Sequence, residues 1–139
     1  MNVEVNYLAV LAAGIVSMAV GFLWYGPLMG KAWMKEKGYT KESMEKAKKG
    51  MGQMYAITFV ASLVTAYVLF HAMTLSMNFF HYERLQTGLM TAFWMWLGFV
   101  LPVQLSATIF GSKNWKLLGI DAGHNLVSLL AMGVVIGLL

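Results

Sequence analysis

Four stretches of this sequence, at about 5–25, 53–77, 86–110 and 115–138, run for 20 residues or more with almost no charge. At 1.5 Å of rise per residue, each is long enough to cross the roughly 30 Å hydrocarbon core of a bilayer as a helix. Lipid offers no hydrogen-bond partners, so a spanning segment must satisfy its own backbone, and a helix does that within one segment. The composition agrees: 59% of residues are hydrophobic and 12% charged, against roughly a quarter charged in soluble domains. The expected fold is all-α. It is a polytopic membrane protein with one domain over residues 1–139, four transmembrane helices, and a short amphipathic helical loop between the first two. The first stretch lacks the basic start of a secretory signal, carries Glu4 instead, and is too long for a signal's apolar core, so it is expected to stay as a helix.

Charge distribution sets the expected orientation. Seven of the ten basic residues are lysines between Lys31 and Lys49, and Lys113 and Lys116 occupy the short third connection. The second loop has only Arg84. Basic residues stay on the cytoplasmic side, so the first and third loops are expected there, with both termini on the outer face of a bacterial inner membrane. Trp24, Tyr25, Trp33, Tyr55 and Trp115 gather near the same interface, where amphipathic rings settle. This clustering explains the net charge of +4 without nucleic acid. Within the loop, Gly26-Pro27 is expected to end the first helix, since proline disfavours helix in the residue before it. "LMGKAWMKEKG" suits a short helix on the membrane surface, and "TKESMEKAKKG" a second one, capped by Thr40 and stopped at Gly50. The lysines also make anionic lipid headgroups an expected partner.

One segment breaks the apolar pattern. In "LLGIDAGHNLVSLLAMG", residues 117–133, Asp121, His124, Asn125 and Ser128 fall at i, i+3, i+4 and i+7 and therefore share one helix face. A central aspartate facing lipid costs about 2.5–3.5 kcal/mol even on the lenient insertion scale, so the face must turn toward protein or water. Counted from the lysine-bearing ends at 1.5 Å per residue, Asp121 and His124 lie about 9 and 13 Å deep. Gln104 lies at about 9 Å, Thr58 and Ser62 at about 8 and 14 Å, and Ser17 at about 12 Å. Every span thus places a polar side chain in one slab. Pro102 adds to it by depriving the Gly98 carbonyl of its helical partner. Either the slab holds helices together by hydrogen bonds, or it lines a cavity in which His124 and Asp121 exchange protons.

Small residues recur four apart: Ala13, Ser17 and Gly21 on the first helix, Gly119/Gly123 and Gly133/Gly137 on the fourth. Such stripes allow close backbone approach, and their number suggests a homo-oligomer. His71 and His81 are isolated and suit a solvated or snorkelling role. With no cysteine and no metal-binding spacing, neither metal nor cofactor is expected. The methionines suit packing, and no nucleophile elbow, phosphate loop or dinucleotide fingerprint occurs.

"GFLWYGPLMGKAWMKEKG" (21–38), "WLGF" (96–99) and "WKLLGIDAGHNLVSLLAMGVVIGL" (115–138) together resemble DUF1761, a bacterial membrane family of unknown function. The resemblance covers nearly the whole chain and implies a small four-span inner-membrane protein. In that family the position of Asp121 is usually Asn and that of His124 often Tyr, which implies hydrogen bonding as the shared duty. Three functions follow as expectations. A small oligomeric permeation or transport protein with a polar cavity on the cytoplasmic side leads. A non-catalytic scaffold or accessory subunit is the alternative. A membrane enzyme using His124 and Asp121 comes last, for want of a second acid or nucleophile.

Overall fold

The computed structural model describes residues 3–139, and among them every regular element is helical. Helix α1 (Tyr7–Leu23) opens at Asn6, whose side chain accepts from the Ala9 amide. A wide π turn, Trp24–Leu28, extends it. Helices α2 (Gly30–Lys37) and α3 (Lys41–Ala47) form the lysine loop. The long α4 (Met51–Phe80) returns across the bundle. The third span is broken: α5 (Arg84–Met95), a second π turn at Trp96–Val100, then α6 (Leu101–Phe110). Helix α7 (Trp115–Leu138) completes the bundle. Four segments are long and apolar enough to cross a membrane: Tyr7–Leu28, Met51–Phe80, Arg84–Phe110 and Trp115–Leu138.

One expectation requires correction. Gly26-Pro27 does not end the first helix. Pro27 sits inside the π turn, where the Met29 amide donates to the Trp24 carbonyl, five residues back, at 2.7 Å. The wide turn leaves room for a ring that would strike the carbonyl four residues back in a regular helix. The true break comes at Met29 and Gly30. A Cβ on Gly30 would lie 2.6 Å from the Tyr25 carbonyl oxygen, so only glycine allows α2 to fold back so sharply. Pro102 has the expected effect in another form, since the turn spanning Gly98 precedes it directly. Thr40 caps α3 through a reciprocal pair of bonds with Ser43. Gly50, at φ +89°, reverses the chain into α4.

The helices form a ring in which α7 lies between α1 and α5, and α4 closes the other side against α1 and α5. Asn6 and Leu139 lie at one end, where the Asn6 amide donates to the Leu139 carbonyl at 3.4 Å. The lysine loop and the third connection lie at the other. The core sits toward the termini: Ala9, Val10 and Ala13 meet Leu69, Phe70, Met73, Ala92, Met132 and Ile136. Small residues there bring backbones together, which is how helices pack where lipid removes the usual hydrophobic drive. At the lysine end the ring loosens. Helix α6 rests on α7, makes at most marginal contact with α4, and buries no residue.

Candidate functional site

The polar stripe of α7 faces α1. The two helices run antiparallel in one unbroken register, from Tyr25–Asp121 through Gly21–His124 and Ser17–Ser128 to Asn6–Leu139. This register follows from sequence periodicity. Ser17 and Gly21 on α1 and Tyr25 in the π turn that extends it recur every four residues, and Asp121, His124 and Ser128 lie on one face of α7.

Three bonds or close contacts make up the seam. The Tyr25 hydroxyl donates to Asp121 Oδ1 at 2.6 Å. The imidazole of His124 lies against the Tyr25 ring, centroids 4.9 Å apart, over Gly21, where a Cβ would come within 3.5 Å of Nε2. Deeper in, Ser17 and Ser128 share a hydroxyl bond of 2.8 Å. Ser62 of α4 donates to the Thr58 carbonyl at 2.9 Å and reaches Ser17 Oγ at 3.4 Å, so the serines link α1, α4 and α7.

Two tryptophans clamp α7 on either side of this seam. Trp24 Nε1 donates to the Ile120 carbonyl at 3.0 Å, and Trp96 Nε1 to the Ala122 carbonyl at 2.9 Å. Each opens a π turn, so the local widening of the helix and the aiming of the indole occur together. Gly123 makes room for one of them, because a Cβ there would lie 3.0 Å from Trp24 Cζ2. In the sequence Trp24 and Tyr25 stand out as interfacial aromatics and, with Trp96, as part of the family resemblance, but nothing there assigns any of the three a contact. The signal was present as a repeated Trp-x-Gly, "WYG" at 24–26 and "WLG" at 96–98, each followed by a proline within a few residues.

The remaining expected residues disperse. Thr58, one turn nearer the lysine end than Ser62, has an exposed side chain and offers the slab only its carbonyl. Asn125 and Gln104 are half-buried. Gln104 Oε1 and His124 Nε2 are enclosed without a hydrogen-bond partner. An aromatic ladder, Tyr39–Trp33–Tyr25, leads from the loop to His124 with ring spacings of 5.3 and 5.4 Å. Among the described residues no three His, Asp or Glu side chains gather as a metal site would require. The small-residue stripes are largely used within the chain. Gly133 meets Gly88 and Gly137 meets Arg84 and Leu85, while Gly119 alone of the fourth helix's four stripe glycines faces open space.

A family model described as "Protein of unknown function (DUF1761)" matches residues 8–137. This chain belongs to the DUF1761 family. No curated protein and no solved structure matches it. The match takes in both Trp-x-Gly turns and all of the α1–α7 seam from Leu8 onward, so the clamp described above lies wholly inside the DUF1761 region.

Proposed function

We propose that this DUF1761 protein is a non-catalytic membrane scaffold or accessory subunit, in which the polar stripe locks α7 onto α1. One observation carries this reading: in the α1–α7 register, Asp121 meets a tyrosine hydroxyl, Ser128 a serine, and His124 a glycine that admits its ring. A carboxylate engaged at 2.6 Å by its own chain is a clamp before it is a binding group. The lysine-end halves of α4 and α6, uncovered within the protomer, are the faces offered to a second copy or a partner subunit. On this reading the lysines face the cytoplasm and both termini face outward, in a bacterial inner membrane.

The test replaces Asp121 with Leu, which removes the acceptor of the Tyr25 bond, in protein reconstituted into liposomes, recording thermal stability and ion or proton flux together. A clamp predicts that stability moves and flux does not. A permeation protein, the second reading, is favoured by the enclosed, unpartnered Gln104 Oε1 and His124 Nε2, which could accept bonds from a transiting species. It predicts flux altered at unchanged stability, and that result would overturn the scaffold.

A further inference from the structure

A groove of about 530 Å³ runs between α2 and the first turns of α7. That is within the roughly 300–1,000 Å³ usual for small-molecule sites. Its floor is Trp24, Gly119, Ile120 and Gly123, and its rim carries Lys35 and Lys116, both exposed, beside Glu36. The floor is more apolar than its residue types suggest, because the indole N–H of Trp24 is turned into the Ile120 carbonyl. The walls are held in place. Asn114 caps α7 through its side-chain oxygen while its Nδ2 donates to Glu36 Oε2 at 2.9 Å, tying the end of α2 to the start of α7. The same bond engages the one acidic group on the rim.

Depth matches chemistry here. Lys116 lies in the first turn of α7, and Ile120 and Gly123 lie about 6 and 10 Å further along it, so the charged rim sits at headgroup level and the apolar floor descends into the acyl region. A second groove of about 400 Å³, between α1 and α4, is walled by Tyr7, Leu63 and Tyr67 among others, carries no charge, and selects nothing.

We propose that the α2–α7 groove binds one anionic phospholipid, its phosphate between Lys35 and Lys116 and one acyl chain laid over Gly119 and Gly123 against Trp24. The assignment is independent of whether the protein is a scaffold or a conduit. Charge complementarity selects the headgroup. The missing side chain at Gly119, where nothing lies within 4 Å of a Cβ, leaves the space for the chain. Each lysine near an anionic headgroup contributes about fivefold to affinity.

The experiment is native mass spectrometry of the full-length protein in detergent, offered phosphatidylglycerol and phosphatidylcholine in equal amounts. The expected result is one retained lipid, with phosphatidylglycerol preferred. Lys35→Gln with Lys116→Gln lowers phosphatidylglycerol affinity about 25-fold and abolishes the preference. Gly119→Phe fills the groove and removes the bound lipid at unchanged thermal stability. Should Gly119→Phe unfold, the lysine pair carries the test alone. Lys46→Gln with Lys48→Gln leaves binding within twofold. The proposal is overturned if the retained lipid survives both groove variants, or if the Lys46/Lys48 pair weakens it equally. Preference for phosphatidylcholine, or full displacement by inorganic phosphate, overturns it as well.

Discussion

Gly133→Ala should loosen the whole α5–α7 interface, although it adds a single methyl group. A Cβ at Gly133 would meet the Gly88 carbonyl oxygen closer than any real contact, its carbon at 2.9 Å, and Ala92 Cβ at 3.3 Å. The obstructing atoms are backbone of a neighbouring helix, so no rotamer change relieves them. Moving the carbonyl carbon from 2.9 Å to an ordinary 3.4 Å opens the crossing by about 0.5 Å, enough to forfeit about a quarter of the dispersion well for contacts across it. Overpacking of this kind costs about 1–3 kcal/mol, and the rigid obstruction places this case near the top. Alanine recovers about 0.5–1 kcal/mol of helix propensity over glycine. The net is a loss of about 2 kcal/mol, or roughly thirtyfold in the folding equilibrium. Gly119→Ala is the internal control on the same helix: with nothing within 4 Å, it keeps the propensity gain and loses nothing. Reversible unfolding in mixed micelles, followed by tryptophan fluorescence, measures both. If Gly133→Ala lies within about 0.5 kcal/mol of wild type, against the expected 2 kcal/mol, the close crossing is not what holds α5 to α7.

Further outcomes follow from the seam and the clamp. Tyr25→Phe should lower stability by about 0.6 kcal/mol, the average for interhelical bonds in membranes, and by no more than about 1.7 kcal/mol, their upper end. Combining it with Asp121→Leu should cost less than the two single changes added together, since removing both partners leaves no orphaned group. Trp24→Phe deletes the bond to the Ile120 carbonyl, and Gly123→Ala pushes the same indole aside, so each should destabilise and the two should be non-additive in a double-mutant cycle. The chain has no cysteine, so single replacements report sidedness directly. In intact spheroplasts a membrane-impermeant maleimide should label Glu4→Cys and spare Lys46→Cys, and the reverse pattern would invert the proposed orientation.

How much of this was readable beforehand depends on the range of the interaction concerned. Helices of 20 apolar residues are dictated by local chemistry, so the spans, the caps at Thr40 and the polar face of α7 are written in the order of the residues. Among the described residues, the helices long and apolar enough to span run over Tyr7–Leu28, Met51–Phe80, Arg84–Phe110 and Trp115–Leu138. Pro27 misled because its usual effect assumes a regular helix, whereas a wide turn accommodates the ring. Thr58 shares a face of α4 with Ser62 but lies one turn nearer the lysine end, where the ring has loosened and the side chain stays exposed.

What the amino-acid order determined by itself was that an acid, an imidazole and two hydroxyl- or amide-bearing side chains on α7 had to turn away from lipid, because the desolvation cost is a property of those groups wherever the helix stands. What only the tertiary structure decided was the partner. Tyr25 could have lain on any interface, and Trp96 on any face. Their meeting with Asp121 and the Ala122 carbonyl depends on helices distant in sequence crossing in one register, set by where Gly21, Gly88, Gly123 and Gly133 let backbones or rings come close.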